Sequence, residues 1–201
     1  GQKTTSIFDT LKREGRWMLP DDYRLTSWMG EIYLDAREAV VDRPRTHLQL
    51  DLWAAKGLPV ANPAKTLKWN SDKAYLKGLA EAGVPMAKTL FVDRVTHHDL
   101  AEAFDRLGTD TVIVKPTISA GAWRTLRLQR CDDLNAALSD APRGAAMIQA
   151  YLPSIETEGE TSLLYFGGEL SHVVNKRPGA AGEFRIQTQY GGRYQALKAA
   201  P

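Results

Sequence analysis

Two glycines, Gly167 and Gly168, separate the runs TSLLYF (161–166) and ELSHVV (169–174). Both runs are apolar and rich in residues that suit a pleated strand, and a two-residue glycine link between such runs is the signature of a tight antiparallel hairpin. Residues 153–201 accordingly read as strand-rich and antiparallel. The stretch leading into the hairpin, MIQAYLPSIETEGE (147–160), passes from an apolar run into Glu156, Glu158 and Glu160. Acids at the mouth of a strand call for an explanation.

From Asn70 to Leu152 the pattern alternates helix, strand, helix, strand, strand, helix, strand, which is the order of an α+β sandwich. DKAYLKGLAEAG (72–83) predicts a helix capped by Ser71, with Tyr75, Leu76 and Leu79 on one face, and Gly83 and Pro85 end it. KTLFVD (88–93) reads as a strand, THHDLAEAFDRLG (96–108) as a helix capped by Thr96, and DTVIVKP (110–116) as a strand. TISAGAWRTLRLQR (117–130) is a turn-rich loop feeding another strand, CDDLNAALSDA (131–141) is a helix and AAMIQAYL (145–152) a strand. Upstream the signals are weaker. SIFDTLKREG (6–15) predicts a short amphipathic helix with Ile7, Phe8 and Leu11, and RTHLQLDLWAAKG (45–57) a second with Leu48, Leu52 and Trp53. LPVANPAKTLKWN (58–70) reads as an extended segment closed by Asn62–Pro63.

Composition narrows the class. With 201 residues, 43% of them hydrophobic, the chain can bury a sizeable core in one or two domains. A net charge of +2 gives no electrostatic footprint for nucleic acid, and no apolar run is long enough to span a membrane. Cys131 is the single cysteine, so no internal disulfide forms and a reducing, cytoplasmic setting is expected. Cys131 reads as a packing residue, Trp28 and Trp53 as core, and His97 and His98 as solvated. His47 and His172 have no partners at metal-ligand spacing.

Two lysines carry the chemistry. Lys115 ends the apolar run TVIV, where a charge is costly unless a counter-charge awaits it. The loop after it offers Ser119, Ala120, Gly121 and Ala122, small residues that let backbone N–H groups approach phosphate oxygens, although the loop lacks the Walker pattern. Lys73 opens the helix after Ser71, where the helix dipole mildly disfavours a cation. Each also has an ordinary reading: a strand-end lysine reaching solvent, a surface lysine, an edge strand with solvated glutamates.

Taken in order, the Asn-x-Asp-Lys segment, the strand-Lys-Pro with its small-residue loop, QAYLP, the Gly-Gly hairpin and GEFR resemble the ATP-grasp superfamily. The similarity covers roughly residues 60–195: the chain resembles the bacterial glutathione synthetase type, while a related group, the ATP-grasp ligases of the cycloserine-biosynthesis type, is also similar. It implies an α+β ATP-grasp fold, with two α+β subdomains gripping the nucleotide. Residues 64–148 would form the first, residues 149–201 the second, incomplete at its end, and residues 1–63 part of the domain that precedes them. It further implies that Lys73 and Lys115 contact the phosphates of ATP while the SAGA loop closes over them, with Trp123 as cover. Gln149, Ala150, Tyr151 and Leu152 would line the adenine-facing hinge, Gln149 through its side chain or carbonyl, Tyr151 and Leu152 largely through backbone. Glu160 would bind the ribose, the explanation that the acids ask for, while Glu156 and Glu158 read as loop residues. Arg185, expected on a strand after the glycine-rich turn in AAGEFRIQTQYGG (180–192), would neutralise charge on the transferring phosphoryl group, assisted by Lys176 or Arg177.

The implied activity is an ATP-dependent carboxylate–amine ligase working through an acyl phosphate, with ATP, Mg²⁺ and small-molecule substrates as partners; a homo-oligomer is compatible with it. The departure lies late in the chain. After Glu183 there is no Asp or Glu, so the family's late acidic metal ligands are not found and no metal ligand is assigned. The expectation is a piece of a longer protein, with a portion outside the N-terminus as well; the alternatives are a nucleotide-binding module without catalysis, or an interaction domain that binds no nucleotide.

Overall fold

A computed structural model describes residues 43–57, 62–119 and 121–198. The helix expected at 6–15, Trp28 and Ala120 lie outside these residues. Two compact units divide the chain between Lys68 and Trp69.

In the first unit, α1 spans Arg43–Ala55; α2 spans Ala64–Asn70, its last two residues belonging to the second. Helix α1 buries Leu50 and Trp53, three residues apart and so on one face. Leu48 and Leu52, four residues apart, share another side and are exposed. The expected extended segment over 58–70 is corrected: residues 64–70 are helical. Residues 58–61 lie outside the described residues; Pro63 leads into this helix, its carbonyl accepting from the N–H groups of Thr66 at 2.8 Å and Leu67 at 3.1 Å. Proline suits the start of a helix, where the missing N–H would have no partner anyway.

The second unit holds two sheets. Helix α3 (Tyr75–Glu81) precedes β1 (Thr89–Val92), α4 (His97–Leu107), β2 (Thr111–Pro116), β3 (Leu126–Gln129), α5 (Leu134–Asp140) and β4 (Ala146–Ala150). The four strands form an antiparallel sheet in the order β1-β4-β2-β3. A single-turn helix, α6 (Ser154–Thr157), leads to β5 (Glu160–Phe166), β6 (Glu169–Arg177) and β7 (Arg193–Leu197), a second antiparallel sheet in that order. The hairpin turns at Gly167 and Gly168, whose φ values of +61° and +88° are the left-handed values such a turn requires.

The core follows from periodicity. On α4, Leu100, Ala103, Phe104 and Leu107 recur at helical spacing and are all buried. Thr96 caps the helix by accepting from the Asp99 N–H, and the Asp99 side chain returns the bond, so two of the helix's unpaired donors are satisfied. The helix packs its face on Val112 and Val114 of β2 and Ala146 and Ile148 of β4, with Leu128 and Ala141 completing the cluster. Residues of β2 and β4 at odd positions look the other way. The register pairs Ile113 with Gln149 and Lys115 with Met147, placing them on the face away from α4. Met147 is fully buried there, so this second face is covered rather than solvated.

Phe104 is 1% exposed at the centre of the cluster. Phe104→Ala is expected to cost about 3–5 kcal/mol in a urea unfolding titration, the range for truncating a buried aromatic.

Candidate functional site

The segment after α2 brings Lys73 to the end of β2. Its backbone N–H donates to the Thr117 carbonyl at 2.8 Å. Its ammonium donates to the Ser119 carbonyl at 2.7 Å and to Ser119 Oγ at 3.3 Å. The helix start expected at Ser71 is corrected: α3 begins at Tyr75, and Lys73 sits in the turn before it. Asp72 accounts for the delay. Its carboxylate accepts from the Ala74 N–H at 3.0 Å, a local turn that competes with helical bonding. Tyr75, Leu76 and Leu79 still share the half-buried face.

Lys115 lies close enough for its charge to act on Lys73. Burial pushes Lys73 down to about 8, the Lys115 charge pushes the same way, and Asp72 opposes both. Lys115 is also lowered, by burial, against the pull of Glu160. Two partly desolvated ammonium groups facing a loop of small residues make a region that gains from an incoming polyanion. The loop itself is conformationally unusual: Ala122 and Arg124 have φ of +58° and +49°, values that cost a residue bearing a Cβ. Gln189, beyond β6, donates to the Gly121 carbonyl at 3.2 Å and so ties this loop to the second half of the unit. Trp123 is half-buried in the loop, with the Arg124 guanidinium 5.3 Å from its ring centre.

Glu160 opens β5 directly opposite Lys176 on β6, and the two form an ion pair at 3.1 Å. Gly159 allows this approach. It has φ +80°, and a Cβ there would collide with the Lys176 carbonyl. Glu156 and Glu158 precede the strand, in and just after the single-turn helix α6, so of the three acids only Glu160 belongs to the sheet.

At the far end of β4, Gln149 lies on the face away from the core and donates to Thr89 Oγ1 at 2.7 Å. Ala150 ends the strand, Tyr151 is buried and Leu152 is 54% exposed. The Tyr151 N–H donates to the Thr111 carbonyl at 2.9 Å. Its hydroxyl donates to Glu156, and burial followed by this bond pushes the phenol up to about 12.

The expected strand placement of Arg185 is corrected: it lies in an irregular segment between β6 and β7. The Glu183 carboxylate accepts from the backbone N–H groups of both Phe184 and Arg185, each at 2.9 Å, which folds the chain locally and withholds it from a ladder. The same carboxylate grips the guanidinium at 2.9 and 2.7 Å, and the guanidinium lies 3.7 Å from the Tyr190 ring centre. These bonds, Arg185's side chain first, hold Glu183 down at about 2. Arg177 is occupied by Asn175 at 3.0 Å.

Thus Lys73, Lys115 and Ser119 come together, as do Glu160 and Lys176. Glu183, Arg127 and Gln189 were not singled out by sequence reasoning. The alternation LRLQ did carry one signal, since it puts Arg127 opposite buried Leu128 and therefore on the face of Lys115. Cys131 is exposed, not packed, a consequence of its place in the turn before α5. His98 is solvated but pairs with Glu102 at 3.2 Å. Among the described residues no helix is long and apolar enough to cross a membrane, and no group of three or more metal-ligating side chains occurs.

No protein-family model matches the chain. Among solved structures, that of D-cycloserine synthetase DcsG superposes with a TM-score of 0.64 at 23% identity, covering 84% of this chain and 57% of that one. A RimK domain ATP-grasp protein from Sphaerobacter thermophilus superposes at 0.53, with 20% identity, over 64% of this chain and 49% of that one. The chain has the ATP-grasp fold. D-alanyl-alanine synthetase A from Vibrio cholerae shares it at a TM-score of 0.54 and 14% identity, over 75% of this chain and 48% of that one. In sequence, the chain is 31% identical over 122 residues to the cycloserine biosynthesis protein DcsG of Streptomyces lavendulae, a match covering 57% of this chain. The match spans 40% of that protein's length.

Lys73 gives the site a pH signature. Its pKa in the fold, about 8, is below its ordinary 10.5, so between these values the unfolded chain binds more protons. Stability of the ligand-free protein should therefore rise with pH through that window. Melting temperatures recorded across it should show the rise in the parent protein and a flatter profile in Lys73→Met.

Proposed function

We propose that the chain is the nucleotide-gripping part of an ATP-dependent ligase that joins a carboxylate to an amine. The observation that carries this reading is the pairing of Lys73 and Lys115 beside the small-residue loop, both held below their ordinary pKa by burial. Two cations with little solvent are held apart from neutrality by nothing in their own loop, and a polyphosphate would relieve both. The fold shared with the cycloserine and D-alanyl-alanine synthetases supports the same class of chemistry.

In this reading Lys115, on a strand, and Lys73, in the turn before α3, bind the phosphates, while Ser119, Ala120, Gly121 and Ala122 line them with backbone. Gln149, Ala150, Tyr151 and Leu152 receive the base. The Tyr151 N–H is already spent on Thr111, which leaves its carbonyl and the Leu152 N–H for that purpose. Glu160 accepts from ribose hydroxyls. Arg185, pre-oriented by Glu183 and Tyr190, neutralises charge on the transferring group, and Lys176 and Arg177 border the same region. ATP would supply a phosphoryl group to the substrate carboxylate, and the amine would displace phosphate from the acyl phosphate. For Mg²⁺ the fit is poor within the described residues, because Glu160 and Glu183 are each engaged by a cation, Lys176 and Arg185.

Calorimetric titration with ATP and Mg²⁺ tests the reading. Lys115→Ala should weaken binding more than Lys73→Ala, because Lys115 projects from a rigid strand and Lys73 from a turn that can adapt. Equal or inverted losses, or no binding by the parent protein, would count against it.

Arg185 is tested in the full-length protein. Arg185→Ala should lower kcat by about a hundredfold, as for one lost donor to a charged transition state, with ATP affinity nearly unchanged. Arg185→Lys keeps the charge but loses the planar fork that meets Glu183, and should restore only part of the rate. Turnover within twofold of normal in the alanine variant would make this arginine ordinary surface.

A further inference from the structure

The backbone passes from the first sheet to the second between Ala150 and Glu160, and three side chains close on one another along the way. Arg127 of β3 places its guanidinium 4.1 Å from the centre of the Tyr151 ring and donates from Nη1 to Glu156 Oε1 at 2.9 Å. The Tyr151 hydroxyl donates to that same carboxylate oxygen. On another side, the Tyr151 ring meets Phe184 edge-on at 6.5 Å. The buried tyrosine is therefore held by β3 through its ring, by α6 through its hydroxyl, and by β2 through its N–H. The next residue is different: the Leu152 N–H has no acceptor among the described residues, and its side chain is exposed.

An ordinary surface ion pair would explain little here, since such pairs contribute almost nothing to stability. The shared oxygen is what matters. One carboxylate atom receives both the guanidinium and the phenol, and the guanidinium covers the ring of that phenol. This closes a small ring of contacts around Tyr151, the residue just before the open Leu152 backbone. Fixing that backbone in advance lowers the cost of receiving a flat heterocycle.

We propose that Arg127 and Glu156 are positioning residues that act through Tyr151, fixing the backbone of Tyr151 and Leu152 so that it can receive the base of the nucleotide. The proposal rests on the nucleotide-binding reading given above. It separates the site into two parts: a phosphate part at Lys73 and Lys115, and a base part whose geometry depends on Arg127 and Glu156.

The experiment compares two probes on the whole chain, ATP and inorganic tripolyphosphate, each with Mg²⁺, by calorimetry. Arg127→Ala and Glu156→Gln should each weaken ATP by about tenfold, the loss of roughly one charge-assisted hydrogen bond. Both should leave tripolyphosphate within about twofold, because the phosphate part is untouched. Arg127→Lys should recover only part of the ATP affinity, since a lysine cannot both cover the ring and reach the carboxylate as a planar fork does. Parallel loss of both probes would overturn the proposal in favour of a general structural role, and so would unchanged ATP affinity. Should Arg127→Ala fail to fold, Tyr151→Phe decides, since it keeps the ring and removes only the hydroxyl: ATP alone should weaken, and full ATP affinity overturns the proposal. A parent protein that binds tripolyphosphate no more weakly than ATP sinks the base part alone. One that binds neither sinks the nucleotide reading, and this proposal with it.

Discussion

The alternation of β2 is the constraint on which the rest depends. A strand sends successive side chains to opposite faces, so Val112 and Val114 can enter the core only if Ile113 and Lys115 leave it. The core side is closed by α4, whose Phe104 and Leu100 are fully buried against it. A slip of one residue would put Lys115 among them, at a cost no counter-charge there could offset. The hydrophobic packing of one face thereby fixes where the cation stands on the other.

Once Lys115 is fixed, the local electrostatics follow. The strand ends at Pro116, the chain turns at Thr117, and the Thr117 carbonyl captures the backbone of Lys73. A second ammonium is thus held beside the first by a backbone bond rather than by attraction, which is how two like charges come to be neighbours. Glu160, paired with Lys176 on its own sheet, offsets part of this from the other side. Other cations of the region are each paired with a carboxylate: Arg185 with Glu183, Arg127 with Glu156 and Lys176 with Glu160. Lys73 meets the small-residue loop at Ser119, with Lys115 near enough for its charge to act on Lys73.

The connection between the sheets has a different physical basis. Tyr151 is immobilised from three elements while Leu152, one residue on, stays open. Such an abrupt change from constrained to available backbone arises because Tyr151, just past the end of β4, still bonds to Thr111, whereas Leu152 starts a turn. Arg127 contributes to it from a strand far away in sequence, since β3 is the neighbour of β2 and β2 the neighbour of β4.

Much of this was legible from the amino-acid order alone. Alternation and helical spacing are local, so the strands around Val112 and Ile148, the helix capped at Thr96 and the hairpin at Gly167–Gly168 follow from short windows, as do the small-residue loop and the strand-end position of Lys115. Where local signals compete, the sequence misleads: Asp72 spends its carboxylate on a turn and delays α3 to Tyr75, Pro63 leads into a helix where it suggested an end, and Glu183 draws Arg185 out of the sheet. Only the tertiary structure decided which side chains meet across long separations: Lys73 with Ser119, Gln189 with Gly121, and Arg127 with Tyr151 and Glu156. Those contacts depend on strand order and register, β1-β4-β2-β3 rather than chain order, and no window of a few residues carries that information.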